Sequence, residues 1–179
     1  MSISSTPSNQ NLAQAAKFAL NFTRLPNATF FCTAANLPGL SIQELPHTTP
    51  FINMYAPGNK LTYETLRVSF LVDEAYQSWI GIHDWIRAMA FPENFDEYKA
   101  LPALRKDQGI SPSIIHEPQY SDAMMSVYTN KNNPSMDIKF KDCFPVSLSG
   151  ISYNVENDAD TVITGQAEFR FTYYTILRA

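Results

Sequence analysis

The stretch LRVSFLVDEAYQSWIGIHDWI, residues 66–86, decides the fold because one periodicity changes into another within it. Apolar and polar residues alternate from Leu61 to Val72, as in a strand with one buried face. Asp73 then provides an N-cap, and Glu74 places a carboxylate at the positive end of a helix. Apolar residues then recur every three or four positions, at Ala75, Trp79, Ile82, Ile86 and Met89, which predicts an amphipathic helix with one apolar stripe over Asp73–Met89. The sequence therefore predicts a strand that passes directly into a helix.

Further strands are predicted on both sides of this junction. Alternating apolar residues indicate strands over Lys17–Arg24, Phe30–Ala34, Ala123–Thr129, Met136–Phe140, Val146–Tyr153 and Val162–Ile176. Pro145 is expected at a bend or an edge, because proline cannot donate to a ladder. Pro92 is the predicted start of a short second helix that reaches Leu101, and residues 101–119 are predicted to be irregular. The fold class is mainly β (α+β): an antiparallel β-sandwich or barrel with one flanking amphipathic helix.

Composition limits the classes of protein that this chain fits. The 179 residues suit one domain, predicted over residues 15–179 after a flexible, polar arm over residues 1–14. Charged residues are only 17% of the chain, which fits either a surface covered by copies of itself or ordinary variation in a β-rich fold. The net charge is −4 with no cluster of Lys or Arg, so specific nucleic-acid binding is not expected.

Targeting and redox signals are weak. The first residues lack the basic and apolar regions of a signal peptide, and no apolar run reaches the length of a membrane span. Cys32 and Cys143 are distant in sequence and each lies beside a Phe, so both are predicted to be reduced and buried.

Candidate catalytic groups are not expected to form a site. His47, His83 and His116 are scattered without metal-ligand spacing, and no phosphate-binding loop or nucleophile elbow is present. The acidic pair Asp73–Glu74 and the cluster Glu93–Glu97 lie at predicted helix starts, where carboxylates serve as caps. The sequence therefore predicts no enzyme activity, no catalytic residue, no metal and no cofactor.

A long segment rich in proline and glycine, Pro46–Lys60, is the strongest candidate for a functional surface. It reads PHTTPFINMYAPGNK and is predicted to be a loop that docks onto a neighbouring subunit, with a loop folded over its own core as the alternative. The predicted interface residues are Phe51, Ile52, Met54, Tyr55 and Trp85. For Trp85, an exposed interface anchor and a core residue are both compatible with the sequence.

The order of elements resembles a known family. The resemblance rests on the turn at Leu37–Leu40, the junction at residues 66–86, the stretch FKDCFPVSLSGISY at residues 140–153 and the closing strand AEFRFTYYTI at residues 167–176. In this order they are similar to the tail tube proteins of contractile-tailed phages and to their relatives at the baseplate end of the tube. The resemblance extends over residues 17–176.

The resemblance implies a structural subunit whose strands join those of its neighbours in a hexameric ring. Rings would stack into a hollow tube through which DNA passes without specific binding, with a tail sheath or baseplate proteins as further partners. The location would be the virion, after assembly in the host cytoplasm. A main tube subunit, a baseplate tube-initiator or junction ring, and the inner tube of a contractile injection system remain open.

A different class of function competes with this one. The apolar residues Phe51, Tyr55 and Trp85 are also compatible with the lining of a small-molecule site in a monomeric β-sandwich.

Overall fold

The computed structural model describes residues 17–25, 31–90, 96, 119–154 and 162–178. The elements in chain order are β1 (Phe18–Phe22), β2 (Cys32–Ala35), β3 (Leu40–Thr48), β4 (Asn53–Tyr63), β5 (Leu66–Leu71), α1 (Gln77–Ala90), β6 (Ser121–Tyr128), β7 (Pro134–Leu148), β8 (Thr164–Arg170) and β9 (Tyr173–Arg178). The predicted arm over residues 1–14, nearly all of the predicted second helix from Pro92 to Leu101, the segment 101–118 and the cluster Glu93–Glu97 apart from Asp96 lie outside the described residues.

Seven of the strands form one antiparallel sheet, in the order β1-β6-β7-β8-β5-β2, with β9 paired to β7. The strand β7 belongs to both halves of this sheet. Its Met136–Lys141 segment pairs with β9, whereas its Phe144–Leu148 segment pairs with β8. Asp142 lies between the two segments and takes a φ of 55°, in the left-handed region. The sheet therefore folds over on itself at β7.

The two halves of the sheet pack face to face around one core. The rings of Phe22 in β1 and Phe169 in β8 lie 4.6 Å apart, so strands from opposite halves are in contact. In β5, Leu66, Val68 and Phe70 are buried as the alternation predicts. The prediction of a β-rich antiparallel sandwich with one helix is confirmed, and the described strands do not close into a barrel.

The helix α1 begins later than predicted, at Gln77 instead of Asp73. Tyr76 takes a φ of 56°, which delays the helical conformation. Asp73 still caps the helix, because its carboxylate accepts the backbone N–H groups of Gln77 and Ser78 at 3.3 Å each. The fully buried face of α1 consists of Ser78, Ile82, Trp85 and Ala88. The predicted stripe of Ala75, Trp79, Ile82, Ile86 and Met89 is thus displaced, since Ala75 precedes the helix and Trp79, Ile86 and Met89 lie half-buried on its flank.

The C-terminal strands begin and end at residues other than those predicted. The single strand predicted over Val162–Ile176 is two strands, because the chain turns at Thr172, whose N–H donates to the carbonyl of Lys141. As a result β8 lies between β5 and β7, and β9 lies at an edge beside the other half of β7. The strand predicted over Val146–Tyr153 is the end of β7 and stops at Leu148. Pro145 does lie at an irregularity, where the pairing of β7 with β8 shifts register.

The largest correction concerns the segment Pro46–Lys60. It was predicted to be a loop, but it forms most of an antiparallel hairpin made of β3 and β4, which constitutes a separate two-stranded sheet. Within the described part of the chain, no helix is long and apolar enough to cross a membrane.

Candidate subunit interface

The β3–β4 hairpin is long and is paired almost to its tip. Its register runs from Leu40 opposite Tyr63 to Thr48 opposite Asn53. At about 3.3 Å per residue, nine residues of β3 give a length of roughly 30 Å. The pairing shifts near Gln43, where β4 contains extra residues. Gly58 is required at this bulge, because a Cβ there would lie 2.2 Å from the carbonyl oxygen of Gln43.

The base of the hairpin is fastened to the sandwich. The backbone N–H of Glu64 donates to the carbonyl of Gly39 at 3.1 Å. The Tyr174 hydroxyl donates to the carbonyl of Pro38 at 3.4 Å, and Arg170 donates to the carbonyl of Tyr63 at 3.3 Å. The ring of Tyr63 also packs edge-on against those of Tyr174 and Phe171, at 5.3 and 5.4 Å. The hairpin is therefore anchored at one end by groups from β8, β9 and the turn between them.

Within the described residues, the far end of the hairpin makes no such contacts to the sandwich. A tight turn holds the tip, where the Thr49 hydroxyl accepts the N–H of Ile52 at 3.1 Å. Phe51 is 98% exposed, and every residue of β3 is exposed, so neither face of the hairpin is covered. The large exposed apolar side chains of the hairpin are Leu40, Ile42, Leu45, Phe51, Ile52, Met54, Tyr55 and Leu61. Because an isolated two-stranded hairpin is marginally stable in water, this arrangement favours a partner that covers it.

The hairpin is also free of charge over most of its length. No Lys, Arg, Asp or Glu occurs between Leu45 and Asn59. Burying this segment in an interface would therefore leave no unpaired carboxylate, ammonium or guanidinium group, and the desolvation cost would be confined to its hydroxyl and amide groups and the imidazole of His47. An uncharged, apolar projection of this kind is typical of the centre of a protein–protein interface.

The structure separates the predicted interface residues into two sets. Phe51, Ile52, Met54 and Tyr55 lie together on the exposed end of the hairpin. Trp85 is 1% exposed, so for this residue the interface prediction is wrong and the core alternative holds. Its indole N–H donates to the carbonyl of Gln119 at 2.9 Å, and its ring centre lies 6.3 Å from that of Phe169.

The predicted small-molecule site is not formed. Trp85 is enclosed in the core, whereas Phe51 lies at the tip of the hairpin and is almost completely exposed. The two aromatic rings do not line a common cavity.

A second apolar surface was not predicted from the sequence. It is an open groove of about 390 Å³ beside the start of α1, and it is lined by Tyr76, Trp79, Ile80, Ile151 and Tyr153. The indole of Trp79 is positioned by a hydrogen bond to the carbonyl of Ser149 at 3.1 Å. We call this surface the helix-start groove. Its residues come from two distant segments, so only the fold brings them together.

Two tyrosine hydroxyls meet at the rim of this groove. Tyr153 donates to the Tyr76 hydroxyl at 3.2 Å, and this hydrogen bond raises the pKa of Tyr153. The hydrogen bond joins the two rings along one edge of the groove.

The remaining chemistry-bearing groups are dispersed. Cys32 and Cys143 are both free thiols. Burial raises the pKa of Cys143 to about 12 and also raises that of the half-buried Cys32, so neither is activated as a nucleophile. His83 stacks on Trp79 at 5.3 Å and contacts Asp84. No group of three or more His, Cys, Asp or Glu residues that is able to hold a metal occurs in residues 17–25, 31–90, 96, 119–154 and 162–178.

A β-sandwich with a fastened, uncharged apolar hairpin and a second apolar groove has the features of an assembly subunit. Comparison with known proteins identifies the class more closely. The sequence matches the family described as phage tail tube protein over residues 2–177, so the chain belongs to that family. It is therefore a structural tail tube protein and not an enzyme.

One curated relative is the tail tube terminator protein of Enterobacteria phage T4, which is 26% identical over 120 residues. The match covers 67% of this chain and 60% of the T4 protein, so it spans less than two thirds of the relative's length.

Solved structures share the fold at low sequence identity. The tube terminating cap of the anti-feeding prophage has a TM-score of 0.63 at 15% identity, with both chains covered completely. A chain of the sheath–tube complex of an extracellular contractile injection system has a TM-score of 0.60 at 10% identity, with 95% of this chain and 94% of that chain covered. The terminator of the same kind of system has a TM-score of 0.59 at 11% identity, with coverage of 94% and 98%.

Proposed function

We propose that this chain assembles into a hexameric ring that forms part of a tail tube, with DNA passing through the lumen. The observation that carries the proposal is the β3–β4 hairpin, which projects from the sandwich and exposes apolar side chains on both faces. The interface proposed on the hairpin consists of Phe51, Ile52, Met54 and Tyr55. A neighbouring subunit that covers these side chains removes apolar surface from water, which stabilises the complex by about 25 cal/mol for each Å² buried.

The edge strand β9 supports lateral association. Among the described strands it pairs with β7 alone, and its residues Tyr173, Ile176 and Leu177 are exposed. An edge strand of this kind has backbone groups free to pair with a strand of another chain, and closure into a ring removes such edges. We therefore include β9 in the proposed contact between neighbours in the ring.

The charge of the chain fits a conduit for DNA. A net charge of −4 without a cluster of basic residues gives DNA no surface to which it would adhere. The further partners in this proposal are a tail sheath or baseplate proteins, and the proposed location is the virion, with assembly in the host cytoplasm.

Two positions along the tube remain to be distinguished. The chain is either a main tube subunit, whose rings stack repeatedly, or an end ring. The sequence relationship to the T4 tail tube terminator protein favours an end ring at the terminator position. The baseplate junction is the other end position.

The purified protein tests the proposal by size-exclusion chromatography with light scattering and negative-stain electron microscopy. Ring-shaped particles of six copies are the expected result. Rings that stack into tubes would indicate a main tube subunit, and rings that stay single would indicate an end ring. A monodisperse 20.2 kDa species at high concentration would overturn the proposal.

A matched pair of variants then tests the role of the hairpin. Replacing Phe51 and Tyr55 together by Ser removes apolar side chains that are 98% and 62% exposed. The same replacement at the exposed position Val162, outside the hairpin, is the control. The hairpin variant should remain folded by circular dichroism but lose its rings, whereas the control should keep them. Rings that persist in the hairpin variant would show that another surface holds the subunits together.

A further inference from the structure

The helix-start groove is an apolar surface that the proposed ring contacts do not use. It is lined by residues at the start of α1 and by Ile151 and Tyr153, and none of these residues belongs to β3, β4 or β9. Two of its side chains, Ile80 and Tyr153, are exposed. Its volume of about 390 Å³ lies at the lower end of the roughly 300–1,000 Å³ of ligand pockets. The groove therefore has room for a short anchor of one or two side chains.

The two stretches of sequence that form this groove are acidic. Residues 68–86 and 143–167 contain every lining residue of the groove, and neither stretch contains a Lys or an Arg. Together they hold six of the 17 acidic residues of the chain, at positions 73, 74, 84, 156, 158 and 160. Their formal charge is therefore −6, whereas the rest of the chain, with 11 acidic and 13 basic residues, carries +2. A partner that approaches these stretches is favoured if it carries positive charge.

The carboxylates of the described residues fall on both sides of the helix start. Asp73 caps α1, so the positive end of the helix offsets its charge. Glu74 is exposed and lies two residues before Tyr76. Asp84 lies one helical turn after Ile80 on the same side of α1 and is partly exposed. Glu74 and Asp84 thus give this end of the protein a negative potential.

The groove is also suited to a guanidinium group. Three of its five lining residues, Tyr76, Trp79 and Tyr153, are aromatic, and the faces of aromatic rings attract cations, Arg most often. The protein makes this contact within its own core, where the guanidinium of Arg24 lies 4.8 Å from the centre of the Trp85 ring. The Tyr153 hydroxyl donates to that of Tyr76, so its own lone pairs can accept an N–H group.

We infer that the helix-start groove binds a segment of a different protein in which an arginine adjoins a large aliphatic residue. The aliphatic side chain packs against Ile80 and Ile151, and the guanidinium lies against the tyrosine rim. This contact goes beyond the proposed ring, because it joins the chain to another protein through residues that the ring does not use. The competing occupant is a second copy of the chain, whose β9 exposes the pair Leu177–Arg178.

Titration of the full-length protein with a short peptide tests the inference. The probe is Arg-Leu-Arg-Leu-Arg with blocked ends, and Trp79 reports its binding by fluorescence, because Trp85 is enclosed in the core. Binding should saturate and should weaken as salt is raised from about 0.05 to 0.5 M, since salt screens exposed charges. Peptides with Glu in place of Arg, or Ser in place of Leu, should bind at least about fivefold more weakly.

Matched variants locate the binding site. Tyr153→Ser removes an aromatic face that is 72% exposed and should weaken binding about fivefold, whereas Tyr173→Ser, on the exposed surface of β9, should leave it unchanged. Glu74→Gln should weaken binding about two- to fivefold, and Glu44→Gln, an exposed carboxylate on the hairpin, is its control. All four positions are exposed, so each variant should keep the circular dichroism spectrum of the wild type.

Three results would overturn the inference. Equal binding of the Glu-containing peptide would show that charge plays no part. Equal losses in Tyr153→Ser and Tyr173→Ser would place the peptide on another surface. Tighter peptide binding by Leu177→Ser than by the wild type would show that the groove is already filled by a second copy. Because the titration is made at concentrations where light scattering reports a single species, its outcome is independent of whether the chain forms rings.

Discussion

Replacing one phenylalanine in the core and one in the hairpin by alanine should separate the part of the chain that folds from the part that assembles. Phe169 is 1% exposed and packs against Phe22 at 4.6 Å and against Trp85 at 6.3 Å. Removing a buried Phe side chain costs about 3–5 kcal/mol, because transfer free energy is lost and a cavity remains. Since domains are stable by about 5–15 kcal/mol, Phe169→Ala should remove roughly a fifth or more of the free energy of unfolding.

The same change at Phe51 should be nearly neutral for folding. This side chain is 98% exposed in the isolated chain, so truncation removes almost no buried surface. The expected change in the free energy of unfolding is within about 0.5 kcal/mol, as for other surface substitutions. The pair thus compares identical side-chain chemistry in two environments.

Urea unfolding, followed by circular dichroism and tryptophan fluorescence, measures both values. The protein concentration must be low enough for light scattering to report monomers, because association with other copies adds to the apparent stability. Phe169→Leu keeps most of the side chain and provides a milder variant if Phe169→Ala does not fold. A loss above about 1 kcal/mol for Phe51→Ala would show that the hairpin tip is part of the core. A loss below that value for Phe169→Ala would refute the packing argument.

Three further changes test separate features. Gly58→Ala would place a Cβ 2.2 Å from the carbonyl oxygen of Gln43 and so distort the hairpin. It should impair assembly, measured by light scattering, with little effect on the unfolding midpoint. Gly150→Ala is the control, because a Cβ there has no atom within 4 Å, and it should change neither measurement. Asp73→Ala removes the acceptor for two N–H groups of α1 and should cost about 0.5–2 kcal/mol in urea unfolding; an unchanged midpoint would contradict the capping role. The pKa of Cys143 rises from 9.0 to about 12 in the folded chain, so the unfolded chain loses this proton first and stability should fall as pH rises above 9. Cys143→Ala should show a shallower loss between pH 9 and 11, and equal losses in both proteins would exclude this contribution.

The sequence was most informative where one face of an element is buried. In β5 the alternation of Leu66, Val68 and Phe70 identified the strand and its buried face correctly, because the pleat points every second side chain into the core. The helix was also predicted, although its start was four residues too early. The left-handed conformation of Tyr76 produced that difference, and no local pattern signalled it.

The hairpin escaped prediction for a physical reason. Period-two alternation arises when one face of a strand is buried and the other is exposed. Both faces of β3 are exposed, so nothing in its sequence has to alternate. Its prolines and glycine were interpreted as breaks, yet Pro46 and Pro57 pair within the hairpin and Gly58 forms its bulge. The predicted interface residues of this segment are nevertheless exposed in the hairpin, and their role in an interface stays a prediction.

Trp85 and the helix-start groove show what sequence spacing leaves undetermined. A tryptophan near the margin of a predicted helical stripe fits the core or the surface equally well. Trp85 is in the core because the buried face of α1 is shifted toward Ser78. The groove combines residues of α1 with Ile151 and Tyr153, some seventy positions away. Only the fold establishes that neighbourhood.

The prolines of the hairpin have a consequence for the chain before it meets a partner. In the part of the chain that the structure describes, the hairpin is a long ribbon that pairs with no further strand and has apolar side chains on both faces. A ribbon of this kind is a template on which chains aggregate as stacked strands. Pro46 and Pro57 lie in its two strands, and Pro50 lies at its turn. A proline has no N–H group to donate to a strand of another molecule, so these residues prevent a continuous ladder of hydrogen bonds along either edge. The prolines that made this segment resemble a loop in the sequence thus act as gatekeeper residues, which protect the unassembled subunit from aggregation.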